Sequence, residues 1–98
     1  MIAVRFLPQA EAELLHEVGY YSKAGAGTGV RFQAAVEACL ARAARHPLGG
    51  APSPHGTRSV LVKGFPFSIV YRVGAAELLV VAVAPHRRRP GYWLPRMA

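Results

Sequence analysis

An α+β fold is predicted by the order in which hydrophobic periodicity changes along the chain. A short run of period two is followed by two stretches of helical period, then by three further runs of period two. The 98 residues have room for one hydrophobic core, so residues 1–98 are expected to form a single domain. The expected architecture is a short N-terminal strand, an antiparallel two-helix hairpin packed on one face of an antiparallel sheet, and a C-terminal three-strand meander.

Residues 2–6 alternate and stop before Pro8, which reads as the first strand. From Pro8 onward Leu7, Leu14, Val18 and Tyr21 recur on one helical stripe, with Leu15 beside them. Pro8 suits the first helical position because its missing N–H has no intrahelical partner there, and Glu11 and Glu13 suit the positive end of the helix dipole. Three glycines between Lys23 and Gly29 break this helix. A second helix is expected from Thr28, as N-cap, to about His46. Its apolar stripe is Phe32, Val36, Cys39, Leu40 and Ala43, and its basic face is Arg31, Arg42 and Arg45. Pro47 and the glycines at 49 and 50 end it.

The runs Arg58–Lys63, Phe67–Val73 and Leu78–Ala84 are rich in β-branched and aromatic residues, and their short connections suit hairpins. In the middle run Phe67, Ile69, Tyr71 and Val73 are expected on the core face, and Ser68, Val70 and Arg72 on the other.

The 52% hydrophobic composition excludes a disordered chain. No apolar run reaches the ~18 residues of a membrane span, and the N-terminus lacks a signal-peptide layout, so a cytoplasmic protein with no membrane contact is expected. A single cysteine excludes an internal disulfide and a cysteine-rich zinc site. No cofactor or metal is expected. The formal net charge of +7 is unevenly placed. Residues 1–41 carry three basic and four acidic side chains, residues 42–98 nine basic and one acidic. Two readings of that basic half stand side by side: an anionic partner, or a solvated charged face.

The stretch from Pro85 to Trp93 is the most unusual. It joins a titratable His86, three consecutive arginines (Arg87, Arg88 and Arg89) and the aromatics Tyr92 and Trp93. Arginine forks suit phosphate or carboxylate. Trp93 is read as a core residue first, while His86 has a structural and an acid–base reading of equal standing. Lys63, Arg58 and Arg72 are further cationic candidates on the strands. The glycines at 25, 27 and 29 lack the preceding strand and following Lys-Ser/Thr of a nucleotide loop.

Three segments carry a resemblance: Phe6-Leu7-Pro8-Gln9-Ala10-Glu11-Ala12-Glu13-Leu14 with the Tyr20-Tyr21 pair; Arg58 with Phe65 to Val73; and Val81 to Trp93. In this order and spacing the chain resembles the RelE/ParE superfamily of type II toxin–antitoxin toxins. The superfamily fold, two helices against an antiparallel sheet, is the one periodicity predicts. RelE-like members cut messenger RNA on the ribosome, and that pattern implies Lys63, Arg72, His86, Arg87 and Tyr92 as catalytic residues. ParE-like members poison DNA gyrase. The middle-strand arginine of the nuclease pattern falls on Ser68, and its tail tyrosine falls on Trp93 unless Tyr92 substitutes with a one-residue shift. The resemblance is therefore closer to the ParE branch. It implies a growth-inhibitory toxin with a cognate antitoxin and gyrase as partners, the ribosome and messenger RNA being the alternative. It implies Arg58, Arg72, His86, Arg87, Arg88, Arg89, Tyr92 and Trp93 as contact residues, and a homodimer or toxin–antitoxin hetero-oligomer as the assembly.

Overall fold

In the computed structural model, which describes residues 2–97, the elements run β1 (Ala3–Phe6), α1 (Pro8–Ala24), α2 (Thr28–Arg45), β2 (Ala51–Ser53), β3 (Thr57–Leu61), β4 (Phe67–Val73) and β5 (Glu77–Pro85). The five strands form one sheet in the order β1-β5-β4-β3-β2. Pairings from β2 to β5 are antiparallel, as the meander predicts, but β1 runs parallel to β5, so the sheet is mixed. β5 therefore has a strand on each side, and its unbroken apolar run is buried on both faces from Leu78 to Val83.

The helices lie on one face. Phe32, Val36, Cys39, Leu40 and Ala43 of α2 are all buried against Ile69, Tyr71, Leu78, Val80 and Val83. From α1, Leu14, Val18 and Tyr21 pack on the same cluster, but Leu15 is 65% exposed and lies off the stripe assigned to it. Phe65 and Phe67 meet Tyr21 and Phe32 with ring centroids 5.0 to 6.2 Å apart, mostly edge to face. That contact anchors the β3–β4 turn beneath the helical hairpin.

Thr28 is the first residue of α2 rather than its N-cap. Gly27 takes the cap with φ of 75°, a left-handed conformation that turns the chain sharply between helices. The Thr28 hydroxyl instead accepts from the Arg31 guanidinium at 3.0 Å. A second glycine, Gly29, sets the distance between the helices: a Cβ there would lie 2.7 Å from the Val18 carbonyl oxygen of α1.

Two strand features escape the periodicity. β2 is a three-residue edge strand of Ala51, Pro52 and Ser53 paired to β3. β5 carries one extra residue opposite β4: Val70 pairs with Ala82 while Tyr71 pairs with Val80. At this bulge the consecutive Val81 and Ala82 both join the cluster on the outer face, with Val70 and Trp93. β3 also ends at Leu61, so Val62 and Lys63 belong to the turn.

Candidate functional site

The segment after β5 folds back over the outer face of the sheet. His86 N–H donates to the Pro66 carbonyl at 2.9 Å, extending the β4–β5 ladder by one step. Turns then follow at Arg88, Tyr92 and Leu94, each N–H bonding three residues back, with Gly91 at φ of 75°. Trp93 lands at 4% exposure against Val70, Val81 and Ala82, so the core reading of this residue is the one the fold realises.

A clamp centred on Glu13 holds this tail. β1 pairing ends at Phe6 opposite Val80, where Leu7 N–H donates to the Val80 carbonyl at 2.9 Å. Beyond it, on β5, Val83 N–H and the Val81 carbonyl have left the β1 ladder and need other partners. Glu13 Oε1 accepts from Val83 N–H at 3.0 Å, and Arg96 Nη1 donates to the Val81 carbonyl at 3.0 Å. Arg96 also donates to both Glu13 oxygens, at 3.0 and 2.8 Å. The Tyr92 hydroxyl donates to Glu13 Oε2 at 2.5 Å. One carboxylate on α1 thus ties down β5 and the tail at two points.

Electrostatics follow the geometry. Burial alone would raise the Glu13 carboxyl, but the hydrogen bonds from Arg96, Tyr92 and Val83 outweigh it and hold it below its ordinary value. Burial, and then the hydrogen bond to Glu13, push the Tyr92 phenol well above the ordinary tyrosine value. The Arg88 guanidinium lies over the Tyr92 ring, 3.8 Å from its centroid. Sequence reasoning missed Glu13 and Arg96. Glu13 reads locally as a dipole partner, and no spacing signal links residues 83 positions apart.

The three consecutive arginines do not form one patch. Arg87 lines a shallow groove of about 330 Å³ beside α1 with Glu13, His16 and Glu17. Arg89 lines a cleft of about 530 Å³ on the outer sheet face, and Arg88 borders both. In the outer cleft His86 Nε2 sits 2.9 Å from Ser68 Oγ, and Ser59, Val70, Tyr92, Trp93 and Leu94 are further lining residues. His86, Arg88, Arg89, Tyr92 and Trp93 are therefore brought together.

Three candidates lie apart. Arg58 faces the helix side, where its Nη1 donates to the Leu48 and Gly50 carbonyls at 3.0 and 2.8 Å, tying down the α2–β2 connection. Arg58 Nη1 is thus engaged inside the fold, and Arg58 is not among the residues lining the cleft. Arg72 is exposed four residues along β4 from Ser68, about 13 Å at strand rise. Lys63 is exposed in the β3–β4 turn and is not among the residues lining the cleft. The set implied by the nuclease pattern is thus divided among the turn, the far end of β4, the α1 groove and the cleft. Among the described residues, no helix is long and apolar enough to cross a membrane.

Comparison with known proteins agrees with the element order. A search of curated proteins finds no match. Among solved structures, a chain from the chromosomal ParDE toxin–antitoxin system of P. aeruginosa shares the fold, with a TM-score of 0.64 at 21% sequence identity, covering 87% of this chain and 96% of that one. The sequence matches the ParE toxin family of type II toxin–antitoxin systems over residues 4–90, from β1 to the last residue before the Gly91 turn. With that match spanning both helices and all five strands, the chain belongs to the ParE toxin family.

Proposed function

We propose that this chain arrests growth by binding and poisoning DNA gyrase in the cytoplasm and is neutralised by a cognate antitoxin. The observation that carries this reading is the state of the tail tyrosine. Tyr92 is fastened to Glu13, with its proton held more tightly than in free tyrosine, and it is therefore a poor base for activating a ribose hydroxyl. Lys63 and Arg72, on the turn and the far end of β4, are not among the residues lining the cleft that includes Tyr92, and Ser68 stands where the nuclease pattern has arginine. Exposed arginines beside an anchored tail suit protein binding better than RNA cleavage. Membership of the ParE branch supports the same target. For the antitoxin, exposed Leu15 and Tyr20 on α1 and Val30 on α2 offer apolar contacts on a chain of net charge +7, which suits an acidic, partly disordered partner.

The test is supercoiling of relaxed plasmid by purified gyrase. The expected result is inhibition by the toxin and its reversal by the protein encoded next to it. Full supercoiling at a large molar excess of folded toxin would overturn the gyrase reading. Primer extension on translated messages would then decide for or against ribosome-dependent cleavage.

A further inference from the structure

The outer cleft has the make-up of a small-molecule site, built in part from the tail arginines assigned above to protein binding. Its volume of about 530 Å³ is within the range of ligand pockets. Every charged residue among its lining is cationic: Arg88 and Arg89, with His86 beside them. Val70, Trp93 and Leu94 supply apolar wall, and Ser59 and Ser68 are among the polar lining residues.

Two of the polar groups are held in place before any ligand arrives. The Arg88 guanidinium rests on the Tyr92 ring at 3.8 Å, and Tyr92 is itself fixed by its hydrogen bond to Glu13. The His86 ring is held by Ser68 Oγ at 2.9 Å from Nε2. When the serine hydroxyl donates to Nε2, the proton of the neutral imidazole sits on Nδ1, which becomes a donor for a ligand. Such preorganisation lowers the ordering cost of binding.

We propose that this cleft binds a small phosphate monoester carrying an apolar or aromatic body, with His86, Arg88 and Arg89 on the phosphate and Val70, Trp93 and Leu94 against the body. Two guanidiniums match the charge of a phosphate dianion, and three donor side chains match its three terminal oxygens. A carboxylate offers one charge and two oxygens and leaves part of that donor set unused.

The experiment is calorimetric titration of the full chain with phenyl phosphate, with inorganic phosphate, benzoate and phenol as comparators. Phenyl phosphate is expected to bind more tightly than all three, with chemical-shift changes at the Trp93 indole N–H. Arg89→Ala and His86→Ala are each expected to weaken it about tenfold, the scale of one charge-assisted hydrogen bond. Both side chains are exposed, so these variants keep the fold. Arg72→Ala, which removes an equal charge outside the cleft, is expected to change affinity by less than about twofold. The proposal is overturned by any of three results: no phenyl phosphate binding at millimolar concentration, inorganic phosphate or benzoate binding as tightly, or equal losses in the Arg72 and Arg89 variants. Gyrase inhibition is read in a separate assay, so either reading can fail while the other stands.

Discussion

Replacing Glu13 by alanine is the perturbation that most directly tests how the tail is held. The carboxylate accepts four hydrogen bonds, two of them from Arg96, and the two side chains are 17% and 16% exposed. Its loss leaves the Val83 N–H without its acceptor, the Tyr92 hydroxyl without its partner and a largely buried guanidinium with only the Val81 carbonyl. Breaking a charged network of this burial costs about 2–4 kcal/mol, the lower end reflecting partial solvent access. For a domain of this size that corresponds to a fall in Tm of at least roughly 8 °C. Two readouts are needed, circular dichroism for the sheet and helices and fluorescence of the single tryptophan, Trp93, for the tail. Trp93 emission is expected to shift red at a lower urea concentration than the loss of ellipticity, because the clamp holds the tail before it holds the core. A second variant, Glu13→Leu with Arg96→Met, is expected to recover part of the loss, since an apolar pair leaves no uncompensated charge. A fall of under about 3 °C in Glu13→Ala, the scale of an exposed ion pair, with Trp93 emission unchanged, would refute the reasoning.

The same carboxylate makes stability depend on pH. Its folded value is depressed, so its contribution is complete above the unfolded carboxyl value of about 4.3 and is lost as pH falls through the folded value. The Tm gap between wild type and Glu13→Gln is therefore expected to narrow as pH is lowered below about 4, and a constant gap would contradict the clamp. Gly29→Ala places a Cβ 2.7 Å from the Val18 carbonyl and against the Ser22 hydroxyl, and is expected to destabilise by about 1–3 kcal/mol in urea titration. Gly19→Ala, on the exposed side of α1 with no atom within 4 Å of the new Cβ, is expected to stabilise by about 0.5–1 kcal/mol. The buried Tyr71 hydroxyl donates to the Pro47 carbonyl at 2.8 Å and accepts from Gly50 N–H at 3.2 Å. Tyr71→Phe is expected to cost about 1–3 kcal/mol and to speed hydrogen exchange at Gly50.

Much of the fold was legible from the residues. Phe32, Val36, Cys39, Leu40 and Ala43 announce the buried side of α2 because helical spacing puts them on one stripe. The short connection between the runs ending at Lys63 and beginning at Phe67 announces the β3–β4 turn, and the rings of Phe65 and Phe67 prove to be the anchors beneath the hairpin. Leu15 misleads because it borders the stripe, yet the flank it occupies meets solvent. β2 was invisible because Ala51-Pro52-Ser53 carries no β-branched or aromatic residue and is extended only where β3 offers an edge to pair with. Of the candidate site, His86, Arg88, Arg89, Tyr92 and Trp93 converge as their closeness in sequence implies, whereas Lys63 and Arg72 do not.

The opening inference, an α+β domain from the succession of periods, is thus a property of the sequence by itself. So are the apolar stripes of both helices, the unbroken apolar run of β5 and the concentration of positive charge beyond residue 41. Local spacing encodes which side of an element meets the core, because a side chain's direction repeats with the backbone. Only the tertiary structure decided that β1 runs parallel to β5, that Arg87 parts from Arg89, and that Glu13 and Arg96 complete the β5 edge. Those outcomes depend on which backbone groups are left without a partner when two distant segments meet, and a carboxylate on α1 answers an N–H on β5 only after the sheet has formed.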